Sequence, residues 1–233
     1  MSLQQNINKY WDYLEQKYPS PKYVGKVKYM EFKDLKKAID SKNENYLKKI
    51  IKNMYVKKEA YILRNSATKG LKEIALDLAN HYKKTRKTSF HKMLDRAPNF
   101  HRVIDKDITR KYSLFAIKHS FYFYNWNIKS KLEKKLKEGV YRHWRYVKSL
   151  AGNGKNQFEK NLPSDKQIDR LQIVRYPAGG GELRDHVDPR KNQRVVSGII
   201  MSKIGEDFLK GGFYFKSSKT KKINIEKRLE LGD

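Results

Sequence analysis

The sequence predicts an α+β fold, with a helical and mixed part over residues 1–150 and a strand-rich core of jelly-roll type over residues 165–233. Two observations carry this. Through much of the first part, apolar residues recur three and four positions apart, the spacing that gives a helix one buried face. From Leu171 onward the pattern becomes short apolar runs at near-regular spacing, parted by glycines and polar turns, as in an antiparallel sandwich or barrel. At 233 residues the chain suits one large domain, and it has no internal repeat or long low-complexity linker. A single domain over residues 1–233 is therefore expected.

The first helix is expected within residues 1–18, where Tyr10, Trp11 and Leu14 fall at helical spacing ahead of Pro19-Ser20-Pro21. Residues 23–32 alternate loosely, which suits a strand. Residues 33–54 suit a helix with Leu35, Ala38, Ile39, Leu47, Ile50 and Ile51 on its apolar face. Ala60-Tyr61-Ile62-Leu63-Arg64-Asn65 reads as a strand, after which Ser66 or Thr68 would cap a helix over residues 69–84. Residues 96–110, with Pro98-Asn99-Phe100, suit a loop or broken helix that closes over a site. An aromatic strand around Tyr122 follows, with core filling favoured over substrate lining. Next comes a helix over residues 128–150, with the face Leu132, Leu136, Val140, Trp144 and Val147, and then a polar loop over residues 151–165.

In the last third, Leu171-Gln172-Ile173-Val174-Arg175-Tyr176 is β-prone, stops at Pro177 and enters a turn at Ala178-Gly179-Gly180-Gly181. Further strands are expected over residues 194–202, through Phe213-Tyr214-Phe215, and through Lys222-Ile223-Asn224-Ile225. Ahead of these lies Arg184-Asp185-His186-Val187-Asp188-Pro189. On a strand, residues i and i+2 point to the same face, so His186 and Asp188 would project an imidazole and a carboxylate side by side. That is two-thirds of a 2-His-1-carboxylate ligand set for non-haem Fe(II). A bare His-x-Asp is more often a pair of surface charges, so its surroundings must carry the case.

Those surroundings are Tyr176-Pro177 with the glycine loop, then His186-Val187-Asp188-Pro189, Arg194, Gly211-Gly212-Phe213, and Leu231-Gly232-Asp233. In this order and spacing, residues 168–233 resemble the Fe(II)- and 2-oxoglutarate-dependent dioxygenases, most closely their prolyl-hydroxylase-like branch. The resemblance covers under a third of the chain. It implies a double-stranded β-helix, cupin-like, with Fe(II) held by His186 and Asp188, and with 2-oxoglutarate and O2 as co-substrates. It further implies that the Tyr176 hydroxyl donates to 2-oxoglutarate and that Ile199 faces the co-substrate. Arg194 would either orient co-substrate or substrate, or serve as a surface ion-pair residue. Where close relatives carry a tyrosine further along the strand of Ile199, this chain has Met201.

The family pattern places a third ligand, a histidine, and a cation for the far carboxylate of 2-oxoglutarate soon after the Gly-Asp turn, beyond Asp233. Two explanations stand: the native chain continues through the missing core strands, or the iron site has been lost. The first is favoured, because ending inside a sheet leaves an unpaired edge. The other histidines, His81, His91, His101, His119 and His143, show no second ligand spacing. His119, within an aromatic run, reads as a packed histidine.

With no cysteine, disulfides and thiolate metal sites are excluded. No run is long enough for a membrane helix, and the N-terminus lacks the apolar segment of a signal peptide, so a cytoplasmic, soluble protein is expected. A net charge of +28 points towards a polyanionic partner. The lysines are dispersed along expected helices, however, where a solvated face is their usual role, and arginine is comparatively scarce. The expected function is thus an oxygenase hydroxylating a small molecule or peptide. The rivals are a non-catalytic nucleic-acid or polyanion binder on the same scaffold, and a nucleic-acid demethylase. Only weak, salt-labile association with nucleic acid is expected.

Overall fold

The computed structural model describes residues 1–85, 101–104, 116–162, 164–165, 167–187 and 194–233. It is an α+β chain that packs as two compact units. Residues 1–72, 139–157 and 191–233 form one, and residues 73–138 and 158–190 form the other.

The first unit is built on helix α1 (Leu3–Lys17), strand β1 (Val27–Glu31), helices α2 (Phe32–Asp40) and α3 (Glu44–Val56), and strand β2 (Ala60–Arg64). Ser2 starts α1 through a reciprocal capping box with Gln5, which satisfies two backbone N–H groups that have no partner inside the helix. The buried stripe Leu3, Ile7, Trp11 and Leu14 then packs with Leu35, Ile39, Leu47, Ile50 and Ile51 into one core. Trp11 donates its indole N–H to the carbonyl of Leu150 at 2.9 Å, so the ring is buried without an orphaned donor. β1 and β2 are parallel, in the register Val27 opposite Ala60, and α2 with α3 forms the crossover between them.

The single helix expected over residues 33–54 is in fact two. Lys42 has φ +54 and Asn43 accepts a hydrogen bond from the Tyr46 amide at 3.1 Å, so a side-chain cap replaces the helical ladder there.

Of the later segments in this unit, β7 (Tyr214–Lys216) and β8 (Lys222–Asn224) form an antiparallel hairpin. Ile225 and Leu229 beyond it pack on Ile62 of β2. The expected strand over residues 194–202 does not form. Val195 is buried in the main core, while Ile200 exchanges hydrogen bonds with Gly232 and Asp233 at 2.8 and 2.9 Å. Gly232 has φ +89, a conformation suited to glycine. Its carbonyl accepts from the amides of Ser66 and Ala67 and the hydroxyl of Ser66. Asp233 pairs with Arg64.

The second unit holds most of helix α4 (Leu71–Thr85), the strands β3 (His101–Ile104), β4 (Ala116–Phe123), β5 (Leu171–Arg175) and β6 (Glu182–Leu183), and the first turns of helix α5 (Lys131–Leu150). β4 pairs antiparallel with each of β3, β5 and β6. β3 lies inside the stretch expected to be loop or broken helix; the rest of residues 96–110 falls outside the described residues. Phe121, Tyr122, Phe123 and Tyr124 are all buried, so the end of β4 is covered on both faces, as the aromatic run implied. Tyr82 of α4 stacks on Phe121 at 6.0 Å and donates its hydroxyl to the buried Glu133. Glu133 also accepts from the amides of Lys129 and Ser130, while Ser130 caps the Glu133 amide, a second capping box. Among the described residues the strands form small open sheets rather than a closed one.

Candidate metal-binding segment

The segment bearing the sequence motif starts where β5 leaves the sheet. Arg175 is the last residue of β5, opposite His119 of β4, and Tyr176 follows it. The chain reverses at once: the Gly181 amide donates to the Pro177 carbonyl at 2.8 Å, with Gly179 at φ +78. Gly181 is needed for closeness. A Cβ there would lie 2.6 Å from Tyr176 Cβ and 2.8 Å from the Pro177 nitrogen and oxygen, whereas one at Gly180 would meet nothing within 4 Å. The turn delivers the chain to β6, which pairs Leu183 with Ala116.

β6 ends at Leu183, so His186 does not lie on a strand, contrary to the expectation from the His-x-Asp spacing. Its orientation has another source. Nδ1 of His186 lies 2.9 Å from the carbonyl oxygen of Arg184. A carbonyl can only accept, so Nδ1 is the donor here, which in the neutral ring leaves the lone pair on Nε2. This is the tautomer and the outer hydrogen bond of a metal-ligating histidine. The residue is exposed, and Arg184 beside it pairs with Glu182 at 3.3 Å. Asp188 lies outside the described residues. Among the described residues no three His, Asp or Glu side chains stand together as a metal-binding group.

Tyr176 is 47% exposed. Partial burial pushes its hydroxyl above the usual phenol range, so it remains a protonated donor at neutral pH. Tyr176 and His186 belong to the same unit, and Arg194 and Ile199 to the other. Arg194 directs its guanidinium to α1, reaching Asp12 at 2.5 Å, Glu15 at 3.0 and 3.2 Å, and Asn8, with the Trp11 ring 5.7 Å away. Ile199 is half-buried on the irregular segment between Ser197 and Ile200.

The same segment forms a polar contact that the sequence did not signal. Nε2 of His143, on α5, lies 2.5 Å from the hydroxyl of Ser197, and the ring packs against Phe32. Among the described residues the buried Nδ1 of His143 has no hydrogen-bond partner, and burial holds the imidazole's pKa down to about 4. A hydroxyl beside an imidazole is the first half of a nucleophile–base pair, but among the described residues no group orients the ring from behind. So weak a base adds little at neutral pH. The contact is a packing device that ties residues 194–202 to α5. No family model matches the chain, and no curated protein or solved structure matches it either.

Proposed function

We propose that the protein is an Fe(II)- and 2-oxoglutarate-dependent oxygenase that hydroxylates its substrate, with succinate and CO2 as co-products, on a double-stranded β-helix core. The observation that carries this reading is the contact between His186 Nδ1 and the Arg184 carbonyl. The Arg184 carbonyl holds a proton on Nδ1, so in the neutral ring Nε2 is the nitrogen available to a metal, on the residue that the motif assigns to it. An imidazole nitrogen with a carboxylate from Asp188 is a donor set that suits Fe(II). The oxidation itself, driven by decarboxylation of 2-oxoglutarate, is what the metal and co-substrates supply when bound.

The remaining roles belong to side chains. Tyr176, protonated at neutral pH, is suited to donate to a co-substrate carboxylate. Gly181 holds the turn closed against Tyr176 and so fixes where that ring begins. Arg194, engaged by Asp12 and Glu15, would hold residues 194–202 against α1.

The test is a Mn(II) titration of the full-length protein, followed by loss of the free-ion spin-resonance signal, with 2-oxoglutarate-dependent succinate formation measured alongside. His186→Ala is expected to weaken Mn(II) binding by more than about tenfold and to abolish succinate formation. Equal Mn(II) affinity in the variant would refute the site.

A further inference from the structure

α1 and α3 pack together, and the residues flanking their contact form a surface unlike the rest of either helix. At 100° per residue, Tyr10, Tyr13 and Lys17 share one stripe of α1, beside the buried stripe of Leu3, Ile7 and Leu14. Asp12 and Glu15 lie on the opposite side of the helix, where both pair with Arg194. On α3, Glu44, Lys48 and Lys52 share a stripe at four-residue spacing.

Packing α1 on α3 brings the stripes into one cluster. The Tyr10 and Tyr13 rings stack at 6.1 Å with 22° between their planes, and Lys48 lies 5.8 Å from the Tyr10 ring. The Lys17 ammonium donates to the Tyr13 hydroxyl at 2.7 Å and lies 5.2 and 5.6 Å from the Tyr13 and Tyr18 rings. Tyr18 is pinned in turn, its carbonyl accepting from the Tyr55 hydroxyl at 3.1 Å. Lys17, then a hydrogen bond with Tyr18 and the charge of Lys52, hold the Tyr13 hydroxyl below the usual phenol range; Lys52 lies one turn beyond Lys48 on the same stripe of α3. The acidic side chain here, Glu44, is taken up by Lys48 and Asn6, at 3.0 and 2.5 Å. Lys17 and Lys52 therefore set the sign of the surface.

From this arrangement we infer that the α1–α3 face binds single-stranded nucleic acid, without sequence preference, by stacking bases on the exposed Tyr13 ring and the half-buried Tyr10 ring beside it, while Lys17 and Lys52 neutralise phosphates. Aromatic rings interleaved with cations, on a surface whose carboxylates are turned away or paired, match the two needs of an unpaired strand. Every base has a face to stack, and every backbone link has a charge to neutralise. A duplex hides its base faces and can use only the lysines. The inference is independent of the oxygenase reading, which rests on other residues.

The experiment is fluorescence anisotropy of a labelled oligothymidylate against the full-length protein over a range of salt concentrations, with a duplex of equal length in parallel. Tyr13 is 46% exposed, so replacing it leaves the core intact. Tyr13→Ala is expected to weaken single-strand binding by about tenfold at unchanged salt dependence, while Tyr13→Phe, which keeps the ring, binds like the parent. Lys17→Ala with Lys52→Ala is expected to reduce the slope of log affinity against log salt by about 1.4, roughly 0.7 for each phosphate no longer neutralised. The pair Lys134→Ala with Lys135→Ala, exposed on α5, removes the same charge and is expected to leave the slope nearly unchanged. The inference is overturned if Tyr13→Ala binds like the parent, if the α5 pair costs as much as the α1–α3 pair, or if duplex binds as tightly as single strand.

Discussion

His143 is 2% exposed, its Nε2 is spent on Ser197, and its buried Nδ1 has no partner among the described residues. Charging this ring inside the folded protein places a second N–H, and a full charge, where nothing receives them. Its pKa accordingly falls from an ordinary 6.5 to about 4. The unfolded chain therefore holds a proton between about pH 4 and 6.5 that the folded chain does not, and stability drops as pH falls through that window. The contribution is fully present above about pH 6.5, and the fall to about 4 corresponds to about 3 kcal/mol. The loss cannot exceed about 1.4 kcal/mol per pH unit, because one proton is involved. Urea denaturation of the parent and of His143→Gln, which stays polar but does not titrate, isolates this contribution. With a net charge of +28, acid also increases self-repulsion in both proteins, and that part cancels in the difference. Between about pH 7.5 and 4.5 the parent should lose about 2–3 kcal/mol more than the variant. Parallel pH profiles would refute the reasoning.

Tyr176→Phe keeps the ring and removes the hydroxyl. Under the oxygenase reading it should weaken 2-oxoglutarate, measured by succinate formation, by about tenfold while Mn(II) affinity stays the same; an unchanged co-substrate requirement would make Tyr176 a packing residue. Gly181→Ala forces a Cβ against Tyr176 and Pro177, whereas Gly180→Ala enters open space. The first should cost about 1–3 kcal/mol in urea denaturation and the second less than about 0.5, and equal effects would contradict the turn geometry. Ser130→Ala removes one half of the capping box at the start of α5 and should lower stability by about 1 kcal/mol. Ser164→Ala, exposed in the polar loop, is the control that should not change it.

The helices were legible because each carries its own periodic stripe and its own stop. The buried residues of α1 and α3 include Trp11, Leu14, Leu47, Ile50 and Ile51, all named from spacing, although Tyr10, named with them, is only half-buried. Pro19-Ser20-Pro21 ends the first helix close to where expected. β2, β5, β7 and β8 were legible as short β-prone runs between turns. Two departures have local physical reasons. Apolar period continues across residues 41–43, so it could not reveal that Asn43 prefers to cap a new helix rather than extend the old one. Residues 194–202 have the composition of a strand, but a strand needs a partner along its length. Here Arg194 is drawn to α1, Ser197 to His143, and Ile200 to the backbone of Gly232 and Asp233. Each anchor is far away in sequence, and no spacing rule points to it.

The candidate site was legible in its residue types and not in how they are set. His-x-Asp named an imidazole as a ligand, and a strand was expected to give that imidazole its direction. The chain leaves the strand at Leu183, and the ring is instead oriented by a carbonyl two residues back. That hydrogen bond depends on backbone torsions after the turn, which residue identity does not determine. The tyrosine–lysine face fails to show in the sequence for a related reason. Lys17 on one helix and Lys48 with Lys52 on another each look like solvated charge when a helix is considered alone. Only when the buried stripes of α1 and α3 come together do the flanking stripes fall side by side. On α1 the same packing sends Asp12 and Glu15 away towards Arg194. A charge that is dispersed along the chain can thus be concentrated in space, and what separates the two cases is which residues lie one-quarter turn from the core.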